Sequence, residues 1–255
     1  MAIHELGDMT WEEARDLDRA RAVAILPVGA IEAHGPHLAL SADVVIAGAM
    51  ARAGASALAA RGTLALVLPP LPYTAASFAA GFAGTISIGS ETVTSLLLDL
   101  ARELTRQGFR ALAVANAHLD PAHLRSITEA ERRAREGGLI PLIHPDLTKK
   151  PWALRLTEEF QSGACHAGRY ESSILLAERP DLVREPIRRA LPPHPASLSR
   201  AIRSGASSFE DAGGKRAYFG WPADASAEEG RASIEALGAI LADAVSLALQ
   251  PGAGS

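Results

Sequence analysis

The sequence predicts an α/β protein: three α/β/α layers around a mostly parallel central sheet, formed as a single domain over residues 1–255. Three observations predict it. Short apolar runs alternate with longer helical patterns along the chain, the order that yields parallel strands with helical crossovers. The 255 residues, 48% of them hydrophobic, can bury a large core, and no Pro/Gly-rich linker divides them. Two of the apolar runs are followed directly by ligand-type side chains, at the strand ends where open α/β sheets place their sites.

Taken in order, Thr10-Trp11-Glu12-Glu13 is a capping box that opens a first helix. The run from Val23 to Val28 is short, partly β-branched and closed by Gly29, so it reads as a buried strand. Asp43 to about Ala60 is an Ala-rich helix. Leu64 to Leu68 is the next strand, stopped by Pro69-Pro70. Ser90 to Arg106 is helical, with Leu96, Leu97, Leu100 and Leu104 as its core stripe and Gln107-Gly108 as its end. Arg110 to Ala115 is another strand. Pro121 to Arg135 is a helix whose Arg132, Arg133 and Arg135 interleave with Glu129, Glu131 and Glu136 on a solvated face. Leu139 to Ile143 follows as a strand, and Glu171 to Ala177 begins a further helix.

From Pro180 to about Gly214 the sequence is irregular, with Pro186, Pro192, Pro193 and Pro195, and reads as a long excursion or an oligomer contact. The aromatic segment Tyr218 to Pro222 is expected either to pack on the body or to form a subunit contact. Ser226 to Glu229 is a second capping box, opening a last helix to about Leu249.

The chemistry concentrates after the first and third of these strands. Glu32 and His34 stand at i and i+2, so in extended backbone both side chains leave the same side of the chain. Gly35-Pro36 then turns the backbone, and Asp43 arrives at the mouth of the next helix. His118 and Asp120 repeat the i, i+2 spacing within Asn116-Ala117-His118-Leu119-Asp120. Two imidazoles and three carboxylates without a thiolate favour Zn, Mn or Fe over a thiolate-rich structural zinc. Three carboxylates exceed what one catalytic zinc recruits, and two divalent ions bridged by Asp43 balance them better. A hydroxide held between such ions exists near neutral pH, so the implied chemistry is hydrolysis.

Other polar residues receive plainer readings. His123 and His144 read as surface or loop groups, and His4 and His194 receive no role. Cys165, the only cysteine, adjoins His166, but no argument for a depressed pKa supports reading it as a nucleophile. Glu171 stands in a first helical turn, where an acid is favoured by the helix dipole alone. A net charge of -4 gives no basic field for nucleic acid, and no membrane partner is expected. The lone cysteine and the absence of an apolar leader pattern point to a cytoplasmic enzyme.

The segment Glu32-Ala33-His34-Gly35-Pro36-His37-Leu38, with Asp43 and Asn116-Ala117-His118 downstream, resembles the creatininase family of metal-dependent amidohydrolases. Leu71-Pro72-Tyr73, Gly84-Thr85-Ile86-Ser87-Ile88 and His166-Ala167-Gly168-Arg169-Tyr170-Glu171-Ser172-Ser173 follow in the family's order, so the resemblance runs from Trp11 to about Leu249. It implies two divalent ions per chain, Zn and/or Mn with Fe as an alternative. Glu32, Asp43 and His118 would hold one, and His34, Asp43 and Asp120 the other. His166 would shuttle protons, and Glu171 would support it or act as an extra ligand. The resemblance also implies a homo-oligomer, a hexamer by family pattern.

Departures from the family bear on the substrate. Asp120 is one methylene shorter than the family's glutamate, Ser162 stands where a pocket tryptophan is found, and Ala79 and Ala83 replace a histidine and a proline. His37 and Trp152 are further pocket candidates beside Ser162. The implied activity is hydrolysis of a C–N bond in a small amide, cyclic or formamide-like, by a metal-bridging hydroxide. Formamidopyrimidine-type deformylation and cleavage of a short peptide, as in mycofactocin maturation, are the alternatives within the family. A metal-binding subunit with an assembly or regulatory role is the alternative outside catalysis, and retention of His166 and Glu171 argues against it.

Overall fold

The structure, a computed structural model, describes residues 4–250. Five strands form one sheet in the order β1-β3-β2-β4-β5: β1 (His4–Glu5), β2 (Ala22–Val28), β3 (Leu64–Val67), β4 (Ala111–Asn116) and β5 (Leu142–Ile143). All four pairings are parallel. The central pair, β2 and β4, is buried along its whole length on both faces, as parallel sheets flanked by helices require.

The period of two along these strands divides the core. Val23 and Ile25 of β2, with Ala111, Ala113 and Ala115 of β4, face α2 (Ala42–Ala60), α6 (Arg169–Glu178) and α9 (Ala227–Ala248). Ala24, Leu26, Leu112 and Val114 face the other way, onto α3 (Ser90–Arg106) and α4 (Pro121–Glu136). These are the three expected layers. α2 is long and apolar enough to cross a membrane, but its apolarity is accounted for by contacts with β2, β3, β4 and α9. Its packing on α9 is close: a Cβ on Gly238 would come within 2.5 Å of Ala53.

The remaining helices are short: α1 (Trp11–Asp16), α5 (Glu158–Ser162), α7 (Glu185–Arg189) and α8 (Leu198–Arg203). The irregular stretch after Pro180 is thus an excursion that carries α7 and α8. A third apolar cluster, including Phe78, Leu198, Phe209 and Phe219, takes in α8 and the stretch after it and reaches Ala33 in the loop after β2. Tyr218 and Phe219 are buried within the chain, so of the two readings of the aromatic segment the structure supports packing on the body.

Two strands differ from expectation. β5 is only Leu142–Ile143 because the residues before it close α4: Leu139 N–H donates to Ala134 O at 3.0 Å, and Ile140 N–H to Thr105 Oγ1 at 3.0 Å. β1, two residues paired with Leu66 and Val67 of β3, is too short to show a period in sequence.

Register is what positions the site. Val28 at the end of β2 pairs with Asn116 at the end of β4, so the segments carrying Glu32, His34 and His118 leave the sheet side by side. Gly29 lets the first turn of α2 approach. A Cβ there would lie 2.5 Å from Val44 N and 2.7 Å from Asp43 C, so any other residue would push Asp43 away.

Candidate metal centre and active site

Three imidazoles are oriented by the same device. His34 Nδ1 lies 3.1 Å from Glu32 O, His118 Nε2 3.0 Å from Ala75 O and His166 Nε2 2.9 Å from Ala33 O. A carbonyl oxygen only accepts, so each of these nitrogens carries the hydrogen and the other keeps its lone pair. Those lone pairs face carboxylates. His34 Nε2 is 3.2 Å from Asp43 Oδ1, and His118 Nδ1 is 3.0 Å from Asp43 Oδ2 and 3.4 Å from Glu32 Oε1. His166 Nδ1 is 3.9 Å from Glu32 Oε1.

Lone pairs set against carboxylate oxygens repel unless a cation, proton or metal, stands between them. Asp43 gives one oxygen to each of two imidazoles, the disposition of a bridging ligand. Glu32 Oε2 is buried without a hydrogen-bond partner, an orphaned acceptor that a metal would satisfy. Ligand atoms converge in three groups: Glu32, Asp43 and His118; His34, Asp43 and Glu171; and Glu32, His34 and His166. Nitrogen and oxygen donors of this kind suit Zn, Mn or Fe, so the residues fit the ions the sequence implies.

Protonation follows the same field. Burial pushes His34 down, but Asp43, Glu171 and Glu32 outweigh it and hold the imidazole up at about 10. His118 is likewise raised: burial works against the charge, and Glu32 and Asp43 prevail. For Asp43 burial raises the carboxyl, but the two imidazoles hold it well below the usual range. Glu171 is pushed up to about 8 by burial and by Asp43 and Glu32, with His34 opposing. His166, stacked on Phe209 at 4.2 Å between ring centroids, is driven well down by burial and stays neutral.

A family model described as creatinine amidohydrolase matches residues 7–245. The chain belongs to the creatininase family. It is 32% identical to the creatinine amidohydrolase of Pseudomonas putida over 194 residues, 70% of this chain and 73% of the relative. It is 31% identical to the mycofactocin precursor peptide peptidase of Mycobacterium tuberculosis over 244 residues, 92% of this chain and 88% of the relative. Among solved structures, the manganese form of creatininase superposes with a TM-score of 0.71 at 26% identity, covering 98% of this chain and all of that one. The chain is therefore a creatininase-family hydrolase, and the fold is the family's.

Within this family frame the sequence-predicted site residues do not all converge. Asp120 is in none of the three ligand groups. Its shortened side chain caps α4, with Oδ1 accepting from Ala122 N–H at 2.7 Å and Oδ2 from Phe78 N–H at 2.9 Å and Ser77 Oγ at 3.3 Å. The acid beside His34 is Glu171, whose Oε2 is 3.7 Å from His34 Nε2 and accepts from Ala167 N–H at 2.6 Å. His37 lines no part of the cavity. It is buried against α6, with Nε2 2.9 Å from Ser172 Oγ. Trp152 packs on the main core instead. Ser162 does line the cavity, but its hydroxyl is engaged with Glu159 O at 2.7 Å. Cys165 also borders it, with its thiol pushed up by burial, which leaves no nucleophile.

His123 is not a surface group. It is fully buried, and its Nε2 donates to Asn116 Oδ1 at 3.0 Å. Asn116 in turn closes the His118 turn, donating to His118 O at 2.7 Å and accepting from His118 N–H at 3.2 Å. His144, by contrast, does lie in the loop after β5, half-buried, and desolvation lowers it to about 4.

The residue most completely missed in the sequence is Glu159. Its buried carboxylate accepts N–H groups from Arg169 at 2.8 Å, Tyr170 at 2.6 Å and Trp221 at 2.7 Å. It thereby caps α6, which carries Glu171, because Gly168 has no side chain to do so. Nothing local marks it, since its partners lie far along the chain.

Two outcomes are expected. Glu159→Gln should lower stability by roughly 2 kcal/mol, the scale of a charge-assisted hydrogen bond lost in the interior, read from the urea midpoint. In metal-free protein His34 stands at about 10 against its ordinary 6.5, so the folded chain binds more protons than the unfolded one between those values. The stability His34 contributes is full below pH 6.5 and lost as pH rises towards 10. Denaturation across that window should show a falling midpoint in metal-free protein and a flatter profile after loading with Zn or Mn.

Proposed function

We propose that this chain hydrolyses an amide C–N bond with two divalent ions, one held by Glu32, Asp43 and His118 and the other by His34, Asp43 and Glu171. The observation that carries this reading is the Asp43 carboxylate set between two imidazoles whose remaining nitrogens are committed to backbone carbonyls. Ions bound there supply Lewis-acid polarisation of a carbonyl oxygen and lower the pKa of a water towards roughly 7.

The chain's own residues do the rest. His166, neutral and held through Nε2–H on Ala33 O, presents Nδ1 towards the centre, where it takes up a proton and returns it to the departing nitrogen. Phe209 stacks on that ring and excludes water from its face. Glu171 is anchored by Ala167 N–H, which keeps one oxygen fixed beside His34.

The cavity above the centre has a volume of about 680 Å³, within the ~300–1,000 Å³ typical of drug-sized ligands. That size favours a short peptide-like amide, and the Mycobacterium tuberculosis relative is a mycofactocin precursor peptide peptidase. The second reading is a small cyclic amide, supported by the 32% identity to the Pseudomonas putida creatinine amidohydrolase. Family resemblance adds a homo-oligomer, and charge and cysteine content add a cytoplasmic location, to the same reading.

Elemental mass spectrometry on the wild type and three variants tests it. Two ions per chain are expected in the wild type and in Asp120→Asn, and one in Glu171→Gln. His166→Ala should keep both ions and lose turnover of a short peptide amide by roughly 10²-fold or more. A protein that holds no divalent ion overturns the reading. Loss of an ion in Asp120→Asn but not in Glu171→Gln would return the second carboxylate to Asp120. Normal turnover by His166→Ala would remove that residue's proton-transfer role.

A further inference from the structure

The charge along the cavity is polarised. Glu32, Asp43 and Glu171 line its inner end and are buried, whereas Arg200 and Arg203 line it while exposed to solvent, so the two arginines stand at its mouth. Among the described residues no other lysine or arginine lines the cavity. The rest of the wall is mixed, with Phe78, Phe160 and Phe209 among aliphatic and hydroxyl side chains.

The two arginines stand on α8, three residues apart and so on one face of the helix. Among the described residues neither guanidinium has an ion-pair partner, in contrast to Arg188 and Arg189 of α7, both of which hold Glu185. Like charges at this spacing repel one another. A helix of six residues has too small a macrodipole to account for both cations in its last turn. Water solvates them in the free chain, and because they line the cavity and a guanidinium fork matches a carboxylate, an anionic substrate group is what they are placed to bind.

We infer that Arg200 and Arg203 bind a carboxylate on the substrate, so that the substrate is a linear amide with a free carboxylate at the end remote from the metal centre. A C-terminal fragment of a short peptide and an N-acyl amino acid both have this form. The inference rests on the amidohydrolase reading above and deepens it: the scissile amide sits over the acids, apolar side chains lie against the phenylalanines and aliphatic groups of the wall, and the terminal charge reaches the mouth. The same two cations draw anionic substrates towards a centre whose own residues are acidic.

Calorimetry on the metal-loaded protein tests this with two peptide-like hydroxamates, one ending in a free carboxylate and the other in its methyl ester. A hydroxamate chelates divalent metal without being hydrolysed, so binding is read apart from turnover. The carboxylate is expected to bind roughly tenfold more tightly. That difference should collapse in the Arg200→Gln/Arg203→Gln double variant and shrink as salt is raised, with metal content followed in parallel. Equal binding of the two hydroxamates, or a preference that survives in the double variant, overturns the role of the arginines and leaves the metal centre standing. Failure of both to bind a protein that holds its ions overturns the amidohydrolase reading, and this inference with it.

Discussion

The carboxylate of Asp43, with one oxygen towards His34 and the other towards His118, is the contact on which the rest of the site depends. It exists because β2 and β4 are adjacent and in register to their last residues, and because Gly29 lets the first turn of α2 close against the end of β2. The geometry of the centre is thus inherited from backbone pairing and from one missing Cβ. Side-chain carbonyl and imidazole contacts then refine it: Asn116 folds the turn that delivers His118, and His123 holds Asn116 in place.

Such a cluster is costly without its ions. Carboxylates and imidazoles that are almost fully buried lose their hydration, and in the metal-free chain they are compensated by a few backbone groups and by one another. The raised imidazoles and the raised Glu171 express this, since each marks a place where the interior holds on to positive charge. Ligand binding and folding stability are coupled here, because the same groups that would take up a cation are those that strain the chain when it is absent.

Much of this was legible in the sequence where the signal was local. A strand followed by ligands at i and i+2 shows in a few residues, and so does the capping box at Thr10, whereas at Ser226 only half of the box forms, with Ser226 N–H given to Ser173 Oγ instead of Glu229. Contacts between distant segments were not legible. Glu159 works through backbone N–H groups of Arg169, Tyr170 and Trp221, which leave no trace in side-chain pattern. At Asp120 two uses share one residue: an acid just before Pro121 can serve as a helix cap as readily as a ligand, and the structure shows the cap. His123 lies on the inward face of an amphipathic helix, where its buried position depends on packing that the polar residues around it conceal.

The excursion after Pro180 contributes none of the converging ligand atoms, yet it supplies Arg200, Arg203 and Phe209 to the cavity. It returns to the body at the pairing of His194 with Gly220 and at the Glu159 contact with Trp221. The ligand cluster and this stretch of the cavity wall therefore come from separable parts of one chain. A lineage can exchange or remodel this excursion and acquire a new diet while the centre beneath it continues to perform the same bond cleavage.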